Sequence, residues 1–293
     1  MSSPASSSLW QSGNHAGLVS LGSHSLYLAA AGPQRPITNG RLQPAVIIEA
    51  GLCSGIAEWV AVSRLIAQRA RVYSYDRAGY GRSEPSPTPE YTAENREGEL
   101  AQLLEVAGIE PPYVLVGHSY GGVLVREFLR QHPDKVAGMV VVDSARTRTP
   151  MPPDWFTLLG DCSYYAIVGL DENHDVSEEE YKAIKDDEKR NLPTAQIEES
   201  YMEASTEVVN DALPEGCQAL GDGRLSVIFA NESVDFTKVY NYAVENTIGA
   251  EEARQRLASR FVYAEGKSRT HNIQYVTPEV IRDQVFWVLG LIE

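Results

Sequence analysis

The chain reads as an α/β protein: a mostly parallel central sheet flanked by helices, with a helical segment inserted between the strand ending at Asp143 and the strand starting near Leu225. Three observations predict this. Short β-branched runs alternate with helical patterns through most of the 293 residues, the pattern of parallel strands joined by helical crossovers. One such unit, from Tyr113 to Asp143, runs strand, turn, helix, strand, with Gly117-His118-Ser119-Tyr120-Gly121 at its turn. The alternation stops after Asp143 and resumes at Leu225.

In chain order, Leu18 to Ala31 holds two apolar stretches around Gly22-Ser23, which predicts an entry hairpin. Pro33 to Pro44 is a polar connector, and Ala45 to Ile48 is a β-rich run ending in Glu49-Ala50-Gly51-Leu52. A helix is expected from about Ala57 to Ala70 and a strand from Arg71 to Tyr75. Asp76-Arg77-Ala78-Gly79-Tyr80-Gly81-Arg82-Ser83 follows, then a rigid loop with Pro85, Pro87 and Pro89. Further helices are expected from about Thr92 to Ala107 and from Gly121 to His132, where Pro133 stops the second. Val140 to Val142 closes the unit at Asp143. Arg146 to Gly223 is acidic and helical in pattern and carries Trp155, Phe156, Tyr164, Tyr165, Tyr181 and Tyr201. Leu225 to Phe229 reads as a strand, Ala250 to Arg260 as a helix, Phe261 to Ala264 as a short strand and Pro278 to Gly290 as a last helix. The domain reading is a core of residues 1–145 and 225–293, with residues 146–224 as a helical lid. The lid aromatics serve chiefly as its own small core, and some face the substrate.

A bare G-x-S-x-G is a weak signal, because a Ser capping an ordinary strand-to-helix turn also produces it. The flanks give it force. An apolar strand runs into Gly117 without a break, and a helix starts at once with Val123, Leu124, Val125, Phe128 and Leu129 on one face. Glycines at 117, 121 and 122 relieve crowding at such a turn. The Ser119 hydroxyl then projects from the sheet end near the positive end of a helix dipole, which suits a nucleophile.

A serine nucleophile needs a neutral imidazole to accept its proton. Of the six histidines, His15 lies in the N-terminal tail, His24 in the hairpin, His132 at a helix end and His174 in a solvated acidic stretch. His118 adjoins the nucleophile and points another way. His271, in the loop Gly266 to Asn272, is the expected base, since catalytic groups gather on loops at the carboxyl ends of strands. The base needs an acid to hold its tautomer. Asp143 and Asp235 compete, with Glu232 behind them, and a loop Asp also caps turns. Asp143 is preferred because it follows its strand directly. The oxyanion needs two N–H donors: Tyr120, after the nucleophile, and Leu52, in the loop after Ala45–Ile48.

Composition bounds the partners. Hydrophobic residues make up 43 % and charged residues 22 %, as in globular chains. A formal net charge of −15 argues against nucleic-acid and anionic-membrane binding. Cys53, Cys162 and Cys217 form neither a disulfide framework nor a zinc pattern. No metal or cofactor is expected, and the partner is a small-molecule substrate. Met1 to Gly13 lacks the basic start and apolar stretch of a secretory signal, and no run approaches a membrane span, so a cytoplasmic location is expected.

The ordered set from about Leu18 onward resembles the α/β-hydrolase family. The Gly51 loop, the Asp76–Ser83 stretch, the Gly117–Gly121 elbow, an acid and then His271 carry the resemblance. In that family the acid follows either of the two strands after the elbow, so Asp143 and Asp235 both stay open. Many members carry His-Gly where this chain has Ala50-Gly51 preceded by Glu49; a subgroup with Glu-Ala-Gly, including fungal proteins, is more similar. The resemblance implies a serine hydrolase cleaving an ester, lactone or thioester of a small, largely apolar molecule through an acyl-enzyme. The same scaffold also serves C–C cleavage, acyl transfer or lyase and cyclase chemistry, or non-catalytic ligand binding. Epoxide hydrolases and dehalogenases of the family use an Asp nucleophile where this chain has Ser119.

Overall fold

The alternating pattern folds as one twisted sheet with helices on both faces. The computed structural model describes residues 8–144, 155–230, 232–258 and 270–293. Nine strands occur among them: β1 His15–Ser20, β2 Ser25–Ala31, β3 Ile37–Thr38, β4 Arg41–Leu42, β5 Ala45–Glu49, β6 Val72–Tyr75, β7 Tyr113–His118, β8 Val136–Val142 and β9 Arg224–Ile228. Seven form the main sheet in the order β1-β2-β6-β5-β7-β8-β9, while β3 and β4 pair separately. The entry hairpin is antiparallel, and everything from β6 to β9 is parallel.

The helices are α1 Val60–Ile66, α2 Ala93–Val106, α3 Gly121–Gln131, α4 Trp155–Leu159, α5 Tyr164–Val168, α6 Glu178–Ala212, α7 Glu232–Glu245, α8 Glu251–Ala258, α9 Ile273–Val276 and α10 Pro278–Val288. A 3-10 turn, Ile56–Trp59, precedes α1. The expected strand Phe261–Ala264 lies outside the described residues. Helix α7 replaces an expected loop, so Asp235 sits on a helix.

Alternate residues of the central strands enter two separate cores, as a pleat with both faces covered requires. Tyr113 and Leu115 pack with Leu100, Leu103 and Phe128 of α2 and α3. Val114 and Val116 pack with Val62, Ile66, Ile281 and Val285 of α1 and α10. Each such burial contributes about 1.5–3 kcal/mol.

Helices α4, α5 and α6 fill the gap between β8 and β9. The 35-residue α6 begins in a capping box, Ser177 with Glu180, and carries Glu178, Glu179 and Glu180 in its first turn, where the helix dipole favours negative charge. Its polar residues 191, 194, 198 and 205 lie on one helical face and bond the core. Thr194 donates to Gly79 O at 2.9 Å, and Ala93 N donates to Ser205 Oγ at 3.0 Å. Between these anchors, Glu198 is fully buried against Arg77 and Arg96. Tyr165 and Tyr181 of the insertion pack in a core shared with α7, α8 and α9, where the insertion was expected to form its own: the Tyr165 ring lies 6.3 Å from Tyr181 and 6.5 Å from Tyr275.

Candidate active site

Ser119 lies between β7 and α3 with φ of +52°, a left-handed conformation that costs a non-glycine residue energy. The surroundings hold it there. Ser119 N donates to Val142 O at 3.0 Å and Ser119 O accepts from Gly122 N at 3.0 Å. The turn closes because Gly121 lacks a side chain: a Cβ there would lie 2.3 Å from Glu49 O.

A cavity of about 100 Å3 opens above the elbow, lined among others by Leu52, Ser119, Tyr164, Tyr165 and His271. His271 Nδ1 donates to Asp143 Oδ2 at 2.6 Å. That bond puts the proton on Nδ1 and leaves the lone pair on Nε2. Asp143 is fixed in turn: its N donates to Ile228 O at 2.8 Å, and its Oδ1 accepts from Ala230 N at 2.9 Å. Burial alone would raise the Asp143 carboxyl. The hydrogen bond and charge of His271 and the Ala230 amide outweigh it and hold the group below the usual carboxylate range.

Asp235, the rival acid, reaches the same histidine at a different point. Its Oδ2 accepts from His271 N at 3.2 Å, from Thr270 Oγ1 at 2.8 Å and from the Tyr164 hydroxyl at 3.1 Å. It holds the main chain of His271, while Asp143 holds the ring. Glu232 starts α7; its side chain lies outside the described residues.

Sequence reasoning missed the part played by His118. Its Nε2 donates to His271 O at 2.9 Å, and the two rings lie 4.4 Å apart. Burial, then the charge of His271, pull the His118 pKa down to about 3, so the ring is neutral. His271 is thus held at its ring, its N–H and its carbonyl. The other histidines lie elsewhere: His15 opens β1 instead of a tail, His24 pairs with Glu99, His132 with Glu97, and His174 stacks on Tyr181 at 4.0 Å. His174 is therefore packed, where a solvated position was expected.

Of the two expected oxyanion donors, Leu52 lines the cavity and Tyr120 follows Ser119. Neither main-chain N–H bonds to the protein among the described residues. Two carboxylic acids, Glu58 and Glu188, also face the cavity. Burial pushes Glu188 up to about 7, with Glu58 adding to the effect. Cys53 borders the cavity too, but burial and these acids push its thiol up to about 12, so it offers no thiolate at neutral pH. No group of three or more His, Cys, Asp or Glu among the described residues is arranged to hold a metal ion. A larger depression of about 360 Å3 is lined by Cys162, Lys238, Tyr242 and Glu245 among others.

The strand–elbow–helix unit and the parallel sheet are those of an α/β-hydrolase fold. A sequence model described as alpha/beta hydrolase fold matches residues 44–172. The chain is 30 % identical over 300 residues to an AB hydrolase superfamily protein of Gibberella zeae, covering 91 % of this chain and 92 % of that one; it belongs to this family. It is also 27 % identical to a Hormonema carpetanum protein named "Probable transporter efuK", over 93 % of this chain and 42 % of that one. Among solved structures, a Vigna radiata epoxide hydrolase mutant superposes with a TM-score of 0.64 at 14 % identity, covering 95 % of this chain and 99 % of that one. Family and relatives together support a hydrolase. No described helix is long and apolar enough to cross a membrane.

Proposed function

We propose that the protein is a serine hydrolase that cleaves a small ester, lactone or thioester through an acyl-enzyme. The observation that carries this reading is the shared cavity: Ser119 and His271 both line it, and His271 is bonded through Nδ1 to Asp143 at 2.6 Å. In this mechanism Ser119 Oγ attacks the carbonyl carbon as His271 Nε2 takes its proton. The tetrahedral oxyanion is received by Leu52 N–H and Tyr120 N–H. His271 then protonates the leaving group, and water repeats the cycle on the acyl-enzyme with His271 again as base. Asp143 stabilises the imidazolium without itself taking the proton. A serine at the nucleophile position argues against epoxide opening through an Asp ester, whatever the likeness in fold.

Helices α4 to α6 act in this reading as a lid, walling the cavity with Tyr164, Tyr165 and Glu188. Those walls also favour a second reading, acyl transfer or C–C cleavage in a site that excludes water. Incorporation of labelled oxygen from water into the product acid separates the two.

Ser119→Ala is expected to lower turnover of a short-chain p-nitrophenyl ester by about 10³-fold or more, with an unchanged thermal midpoint. A fluorophosphonate is expected to label the parent protein at Ser119. Full activity in Ser119→Ala would overturn the assignment.

A further inference from the structure

The loop carrying Leu52 is gripped on both sides of that residue, and the grip leads back to the inserted helix. Arg77 is the centre of it. Its guanidinium has five N–H donors, and five hydrogen bonds leave it. Nε donates to Glu198 Oε1 at 3.1 Å. Nη1 donates to Glu49 Oε1 at 2.8 Å and to Ala50 O at 2.6 Å. Nη2 donates to Gly51 O at 2.6 Å and to Glu198 Oε2 at 2.8 Å. On the other side of Leu52, Cys53 N donates to the Tyr80 hydroxyl at 3.3 Å, and Cys53 O accepts from Asn191 Nδ2 at 2.9 Å. The Tyr80 hydroxyl itself donates to Glu198 Oε2 at 2.6 Å. Glu198 and Asn191 both belong to α6.

One of these bonds has a direct geometric consequence. Gly51 O and Leu52 N–H are the two ends of a single peptide group, which is planar and trans, so they point in opposite directions. Fixing the carbonyl on a buried cation therefore fixes the N–H. The cation also polarises the group and strengthens its donor end. This peptide lies against the nucleophile: a Cβ on Gly51 would sit 3.3 Å from Ser119 Cβ. A mere structural ion pair has no need of two carbonyls from one loop beside the nucleophile.

We infer that Arg77 is a positioning residue for the oxyanion donor of Leu52, and that Glu198 of the inserted helix completes the site by holding Arg77 in place. The inference rests on the serine-hydrolase reading above. It gives the insertion a part in the chemical step as well as in covering the cavity.

The test is turnover per active site in Arg77→Lys and Glu198→Gln, with sites counted by stoichiometric fluorophosphonate labelling. Lysine offers three donors in place of five, so at least two of the grips are lost. The expected result is a fall of about 10- to 100-fold in kcat per labelled site, with KM little changed. The affinity of a trifluoromethyl ketone, which forms a tetrahedral oxyanion on the serine, should weaken in proportion to kcat/KM. Glu198→Gln keeps the side-chain shape and should lie between Arg77→Lys and the parent. A purely structural role would reduce the number of labelled sites and leave the rate per site unchanged, and that result overturns the inference. Should the parent protein itself fail to label, the serine-hydrolase reading falls instead.

Discussion

Asp143 and Asp235 are both buried, and both accept a hydrogen bond from His271, yet they meet it at opposite ends. Asp143 directly follows the parallel strand β8, has φ of +42°, and faces the imidazole. Asp235 lies in the first turn of α7 and gathers the His271 amide, the Thr270 hydroxyl and the Tyr164 hydroxyl. A carboxylate on the ring acts on the charge that the ring acquires when it takes a proton. A carboxylate on the main chain acts on where the ring stands. The two rival acids inferred for one role thus divide into an electrostatic partner and a scaffold.

That division orders the expected losses. Asp143→Asn keeps the size of the side chain and removes the charge opposite Nδ1, allowing the wrong tautomer. Its kcat should fall by about 10⁴-fold, with the fold kept. Asp235→Asn should act mainly on stability, because it removes the negative charge on which the Tyr164 hydroxyl, the Thr270 hydroxyl and the His271 amide converge. A loss of about 1–3 kcal/mol is expected by chemical denaturation, with kcat reduced by about 10-fold or less. If Asp235→Asn proves the more damaging to kcat, the assignment of the two acids is reversed.

Features that depend on neighbours in sequence were legible, and those that depend on distant ones were not. The β-branched runs ending in Gly or Asp became β5, β7 and β8, because a strand buried on both faces carries its signature locally, although β8 starts at Val136, four residues before the expected Val140. Helix α7 was legible and overlooked. Phe236, Val239, Tyr240 and Ala243 follow a helical spacing, and Val239 and Ala243 are fully buried. His118 gave no such signal, because its partner is the carbonyl of a residue 153 positions away. Arg77 and Glu198 stand 121 residues apart. Two charges in an acidic chain look like surface until the fold brings them together with Arg96 and Glu49, both also buried. Breaking such a buried pair costs about 3–5 kcal/mol, far more than two solvated charges would suggest.

The smallest expected effect separates Asp143, which bonds the His271 ring, from Glu188, an acid that lines the cavity. Asp143 is held below its ordinary value of 3.8, whereas Glu188 is raised from 4.5 to about 7. A depressed carboxyl contributes stability that is present above its unfolded value and is lost as pH falls through the folded one. A raised carboxyl does the reverse: the folded state keeps a proton that the unfolded state releases, so stability falls as pH rises from about 4.5 to about 7. Thermal midpoints measured from pH 3 to pH 8 should show both trends. The advantage of the parent protein over Asp143→Asn should shrink on acidification below about pH 4. Glu188→Gln should gain on the parent protein between about pH 4.5 and 7 and hold that gain above it. Burial raises both carboxyls; at Asp143 the hydrogen bond and charge of His271 and the Ala230 amide outweigh it, whereas at Glu188 the Glu58 carboxyl adds to it. A parallel response of the two variants would mean that burial, and not the choice of partner, sets the charge of this cavity.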